Sequence, residues 1–246
     1  MIRTIKYLVI LFVVSFQMGA GAQNSSLYIK NLNQKSNRLQ GKLQGEIYHL
    51  NVKRNANYFL QKDWVEGTIV LKDGDLFEGI RMRYMAYGDE LVAYNDNNYS
   101  LFIVDKSTVK QFTLKESSGY SGFIQRKFIT LDSLYLHQSK TYFEELFSGS
   151  VKLLAFHLIE ETTVRPYKDA YGNLSDTEFN SETLYYILSD NKGLSKIKLR
   201  NRSLIKLYPE YKKEIRKQLR KNRINIYNES SAIQACDVLD VTGLLN

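Results

Sequence analysis

The stretch GTIVLKDGDLFEGIRMRYMAY, from Gly67 to Tyr87, decides the fold class. Its first five residues, Gly67 to Leu71, form a short apolar run rich in β-branched side chains. Lys72-Asp73-Gly74-Asp75 then supplies the Asp-Gly signal of a tight hairpin. On the return, Ile80, Met82, Tyr84 and Ala86 alternate with Gly79, Arg81, Arg83 and Met85. A period of two is a strand's period, and it places the arginines on the face opposite Ile80 and Met82.

The same grammar continues on the carboxyl side. Gly88-Asp89 is a turn, Glu90–Tyr94 a strand, Asp96-Asn97-Asn98 a turn, and Tyr99–Val104 and Ser107–Leu114 two further strands. Shorter candidates follow at 123–129, 134–136 and 141–147. Val151 to Ile159 (VKLLAFHLI) reads as a central strand, and Leu184–Ser189 with Leu194–Leu199 as a hairpin around Asp190-Asn191-Lys192-Gly193. Strands about ten residues apart, with turn signals between them, predict a mainly β fold: an antiparallel meander, sandwich- or barrel-like. The 18 Tyr and 12 Phe suit half-buried pleated surfaces. Residues 162–182, with Pro166, Asn173 and Asp176, read as a long polar loop.

The ends differ from the middle. Residues 208–246 predict two short α-helices packed on the β-rich part. Pro209 suits a first helical turn, Tyr211, Ile215 and Leu219 make one narrow apolar stripe, and Ser230 or Ser231 could cap a second helix over 231–241. At the other end, Arg3 and Lys6 precede an apolar run from Tyr7 to Phe16, and Ala20-Gly21-Ala22 follows. This is the three-part pattern of an export signal, residues 1–22, with cleavage at Ala20 and Ala22 leaving Gln23 first. The run is shorter than the ~20 residues of a helical span, so no transmembrane span is expected after cleavage. The expected location is periplasmic or cell-surface. Residues 23–57 form a polar lead-in with one short strand near Ile47, Leu50 and Val52, and 58–207 form the β-rich domain.

Chemical motifs are sparse. His49, His137 and His157 are at least 20 residues apart, so no metal-ligand spacing exists. Gly119-Tyr120-Ser121-Gly122 lacks the spacing of a nucleophile elbow. Glu144-Glu145 and Glu160-Glu161 are adjacent strand residues that point to opposite faces, which reads as solvated strand ends rather than a pair across a cleft. The single Cys236 reads as a buried structural thiol, with Asp237 raising its pKa. No enzyme, cofactor or metal is expected.

Charge adds one distinctive feature. The chain carries +8, or +6 once Arg3 and Lys6 are removed. Lys212, Lys213, Arg216, Lys217, Arg220, Lys221 and Arg223 crowd one segment against Glu210 and Glu214 alone. This is a candidate basic surface patch. Its acids lie early and its bases late, as the helix dipole prefers, which favours a solvated helix face. Without interleaved aromatics, nucleic acid is not an expected partner.

Three stretches resemble a family. They are Asn57-Tyr58-Phe59-Leu60 with Trp64-Val65-Glu66-Gly67-Thr68-Ile69; Ile80-Arg81-Met82-Arg83-Tyr84 through Tyr87-Gly88-Asp89-Glu90-Leu91; and Tyr142-Phe143-Glu144-Glu145-Leu146 with Gly149, Val151, Leu153 and Leu154. Their order and spacing resemble uncharacterised exported β-rich proteins of Bacteroidota. The likeness extends through Leu184-Tyr185-Tyr186-Ile187 and the final helices. The chain departs from that pattern at Met85, where the family tends to carry Asn. The resemblance implies a diderm envelope and no particular activity. Together these readings predict a non-catalytic exported protein that contacts a protein or envelope component. The alternative is a carrier with a curled sheet around a small apolar ligand.

Overall fold

The computed structural model describes residues 43, 45–49, 58–96, 99–117, 122–131, 140–168, 172 and 174–245. The export signal with Ala20, Ala22 and Gln23, nearly all of the 23–57 lead-in, His137, and the strand expected at 134–136 lie outside the described residues.

Among those residues, the chain is mainly antiparallel β with three short helices near its carboxyl end. The strands are β1 (Gly45–Ile47), β2 (Val65–Leu71), β3 (Leu76–Met85), β4 (Glu90–Asn95), β5 (Ser100–Val104), β6 (Val109–Ser117), β7 (Phe123–Leu131), β8 (Thr141–Ser148), β9 (Lys152–Lys168), β10 (Leu174–Ser189) and β11 (Gly193–Ile197). They form one sheet in the order β1-β5-β4-β3-β2-β6-β7-β8-β9-β10-β11. It consists of two meanders fused where β2 pairs with β6, with Gly67 opposite Leu114 and Ile69 opposite Phe112.

The short link between β5 and β6 forces this sheet to curl. In a flat sheet these strands would lie four spacings apart, about 19 Å. Their connection is instead a turn: Thr108 N donates to Asp105 O at 3.0 Å, and Asp105 Oδ1 accepts from Ser107 N at 2.8 Å. A turn of this kind brings its ends within about 7 Å, so the strands cannot be splayed flat. The curl continues until the end of β3 meets β9, where Ile159 N donates to Ala86 O at 3.4 Å. The arrangement is barrel-like, and its concave interior is filled with rings. Phe112 and Phe128 stack at 4.7 Å, Tyr142 meets Phe112 edge-on at 5.0 Å, and Tyr84 lies 5.0 Å from Phe128. All four are fully buried. Rings packed this way add specific ring–ring attraction to their burial.

Farther along, three helices cover the concave face of the last strands: α1 (Asn201–Leu207), α2 (Lys212–Lys221) and α3 (Glu229–Val241). Ile215, Leu219, Ala235, Cys236 and Leu239 pack with Leu153 and Ile187 in one buried cluster. Asp240 on α3 accepts from Ser150 N at 2.8 Å, which fixes the β8–β9 turn against the helix.

The structure corrects several expectations. Residues 162–182 are largely strand, because β9 and β10 run on as one long hairpin. The β-rich part ends at Ile197, not at 207, and α1 makes a helix beyond the two expected. The cap of α3 is Asn228, whose side chain accepts from Ser231 N at 2.9 Å, while Ser231 Oγ accepts from Asn228 N at 3.1 Å. This reciprocal pair satisfies two otherwise orphaned donors. Asn228→Ala is expected to lower stability by about 1 kcal/mol in urea melts, with the slope unchanged.

Candidate functional site

The interior holds charge as well as rings, and the strand alternation explains how. Arg126-Lys127 on β7 faces Glu144-Glu145 on β8 across adjacent strands, so one pair forms on each side of the sheet. On the concave side, Arg126 Nε donates to Glu144 Oε1 at 2.8 Å and its Nη2 to Oε2 at 2.5 Å. His157 on β9 reaches the same carboxylate, with Nε2 2.6 Å from Oε2, and its Nδ1 lies 3.2 Å from Thr183 Oγ1 on β10. On the convex side, Lys127 and Lys152 donate to Glu145 at 2.6 and 2.7 Å. Burial pushes both glutamates up. The hydrogen bonds from His157 and Arg126 to Glu144, and from Lys127 and Lys152 to Glu145, outweigh it and hold both below the usual carboxylate range. The expectation of solvated strand ends is therefore corrected for this pair. The two side chains do point to opposite faces, but each is buried, Glu144 against Arg126 and His157, and Glu145 between Lys127 and Lys152.

Thr183, His157 and Glu144 stand in the order of a hydroxyl, a base and an orienting carboxylate. In a nucleophilic triad the carboxylate's charge stabilises the imidazolium. Here Glu144 is shared, with His157 Nε2 2.6 Å from Oε2 and Arg126 on both oxygens. The four side chains form one hydrogen-bonded network across β7 to β10.

A second polar node closes the curl. Asp89, in the left-handed conformation at φ 55°, accepts from Tyr84 OH at 2.8 Å, from Lys106 Nζ at 2.8 Å and from Tyr142 N at 3.2 Å. It thereby ties the β3–β4 turn to the β5–β6 turn and to β8. Burial raises its pKa, and Lys106 only partly offsets this.

Cys236 is buried, as its setting predicted. Its thiol is pushed up to about 12, by burial first and then by Asp240, not by the neighbouring Asp237. His49 is exposed at the other end of the chain, far in sequence from His157. Among the described residues, no three His, Cys, Asp or Glu side chains are grouped to hold a metal ion. Nor is any helix there long and apolar enough to cross a membrane.

Two features project from this body. The first is the β9–β10 ribbon. Among the described residues, these strands pair only with each other from Glu160 and Asn180 outward, Leu174 closing against Lys168. The ribbon runs for roughly 30 Å. Its foot is clasped by rings, with Tyr58 4.9 Å from Tyr87 and 5.3 Å from Phe179, and Tyr87 OH donates to Glu161 Oε2 at 3.3 Å. A shallow groove of about 340 Å³, lined by Ile159, Tyr167 and Phe179 with the polar Thr177, Glu178 and Asn180, runs along it. Leu174 near its tip is 76% exposed. The ribbon's strands carry four acids, Glu160, Glu161, Asp176 and Glu178, and two bases, Arg165 and Lys168.

The second is the basic end. All seven cations of the run from Lys212 to Arg223 are exposed, while Ile215 and Leu219 turn inward. Those on α2 fall within about half of its circumference. Five more exposed cations precede them: Lys196, Lys198, Arg200, Arg202 and Lys206. Sequence reading missed these five because they are dispersed over β11 and α1 rather than forming a run.

A further groove of about 660 Å³ near the amino-terminal side of β2 is lined by Gln61, Trp64, Glu66, Lys115, Glu116 and Phe123, with both signs of charge. Comparison with known protein families, with curated proteins and with solved structures finds no match.

Proposed function

We propose that this chain is a non-catalytic exported protein of a diderm bacterial envelope, and that it grips a protein or envelope partner with the β9–β10 ribbon. One observation carries this reading: a long two-stranded ribbon, joined by no third strand among the described residues, extends from an otherwise well-packed sheet. Two-stranded hairpins are at best marginally stable in water on their own. A partner that covers the ribbon's largely polar groove, with Tyr167 and Phe179 in it, and the exposed Leu174 supplies the missing burial. The interior of the curl is occupied by Tyr84, Phe112, Phe128 and Tyr142, which disfavours a carrier with its ligand inside the sheet. The groove near Trp64 carries charges of both signs, Lys62, Asp63, Glu66, Lys115 and Glu116, beside its apolar lining.

The test is native mass spectrometry on protein taken gently from its own cells. It compares the full chain with a variant in which residues 163–177 are replaced by an Asn-Gly turn. The expected result is an added mass on the full chain that disappears from the trimmed chain, with thermal stability little changed. An added mass that survives trimming would put the contact elsewhere, and one of a few hundred daltons would revive the carrier.

A further inference from the structure

Residues 196–223 contain twelve cations and two acids, a net charge of +10 where the whole chain carries +8. The rest of the chain is therefore net −2, and nearly all of the imbalance sits at one end. All twelve cations are exposed. Glu210 is engaged from outside the group, by Lys192 Nζ at 2.8 Å. Among the described residues, no ion pair involves any of the twelve.

Within this end lies a defined groove of about 450 Å³ between β11 and α1. Lys196, Lys198, Arg200 and Lys206 line it together with Ser203 and the apolar Ile197 and Leu207, and no carboxylate does. Ser203 Oγ accepts from Lys198 N at 3.3 Å, which leaves its hydroxyl proton free to donate to an anion. Four unneutralised cations and a hydroxyl donor around one depression are the chemistry of phosphate recognition. The Arg200 guanidinium offers paired donors that match phosphate oxygens, and the lysines act as point charges.

We propose that this groove binds the phosphate groups of an anionic lipid surface, with the outward cations of α2 adding long-range attraction. The breadth of the charge selects a surface over a single small anion, since it extends well beyond the groove across two helices. The contact is electrostatic rather than insertional, because the apolar residues of α2, Ile215 and Leu219, face the core. A nucleic-acid strand would call for aromatic platforms, whereas the groove's uncharged lining is aliphatic and hydroxyl. The site lies apart from the ribbon, so it stands whether or not the ribbon finds a partner.

The experiment is sedimentation of the purified chain with vesicles of phosphatidylglycerol and phosphatidylcholine, against phosphatidylcholine alone, over a range of salt. A triple variant, Lys196→Gln, Lys198→Gln and Lys206→Gln, is compared with one removing three exposed lysines elsewhere: Lys62→Gln, Lys110→Gln and Lys115→Gln. All six are exposed, so circular dichroism is expected to show an unchanged fold. The chain is expected to sediment with the anionic vesicles alone, and less so as salt rises. The groove triple is expected to weaken binding on the order of a hundredfold, from about 1 kcal/mol per cation at an anionic surface. The other triple should have little effect. Failure to sediment overturns the proposal, as does equal weakening by the two triples. Calorimetry with inorganic phosphate separates the sources: heat from free phosphate without vesicle binding would mark a soluble ligand and overturn the lipid assignment.

Discussion

Replacing Arg126 with Met is expected to destabilise the fold by about 3–5 kcal/mol, read as a shift in urea midpoint at constant slope. Glu144 has only 7% of its side chain exposed, and Arg126 is its bidentate partner. Removing the guanidinium leaves a buried carboxylate with His157 alone. The double variant Arg126→Met with Glu144→Gln is expected to recover much of the loss, because the stranded charge goes too. The pH dependence follows from the directions of the shifts. Glu144 and Glu145 are held low in the folded chain, so their contribution is present above the usual glutamate pKa and is lost as pH falls through the folded values. Asp89 is raised, so its contribution runs the other way, present in acid and lost as pH rises through its folded value. The wild-type chain should therefore lose stability on acidification below the glutamate range. Arg126→Met should show a shallower loss, since Glu144 no longer gains from staying ionised. An equally steep acid limb in the variant would assign that limb to other groups.

Gly67→Ala is expected to destabilise by about 3 kcal/mol, the upper end of what overpacking does. Gly67 lies where β2 pairs with β6, at a register shift in the β2–β3 ladder. A methyl group there would collide with the Thr113 carbonyl oxygen, a backbone atom that cannot swing away. Relief would mean parting the two strands and loosening the hydroxyl contact between Thr68 and Thr113, 2.7 Å apart. Gly74→Ala makes a useful contrast. Its surroundings are open, but its φ of 94° disfavours any side chain, so roughly 1 kcal/mol is expected there. Comparable losses at the two positions would show that backbone conformation, and not the close approach of β6, governs Gly67.

Much of the sheet could be read from local signals, and the exceptions share a physical cause. The β2–β3 hairpin was legible because one face of it is buried, which imposes the Ile80, Met82, Tyr84 alternation. The β9–β10 ribbon was not, because beyond its foot most of its described residues are exposed and no apolar period is required of it. Only the β-branched run Thr162-Thr163-Val164 hinted at strand. The network of Arg126, Glu144 and His157 joins three strands, and nothing local marks it. One signal was available. The dipeptides Arg126-Lys127 and Glu144-Glu145 lie on successive strands, and alternation alone pairs them face by face. The basic run on α2 was visible as a run. Its extension through Lys196, Lys198, Arg200 and Lys206 depends on how α1 folds back beside β11, which is tertiary.

The fusion of two meanders at β2 and β6 has a consequence for how the chain acquires its shape. From β2 to β5 and from β6 to β11, every ladder joins consecutive strands, so each half can zip up by short loop closures. The β2–β6 pairing instead brings together residues some forty positions apart, and it must wait for the ends of the first half to be in place. Contact order is thus concentrated in this seam and in the β1–β5 ladder, whose partners are more distant still. The two halves become one continuous sheet when that seam closes.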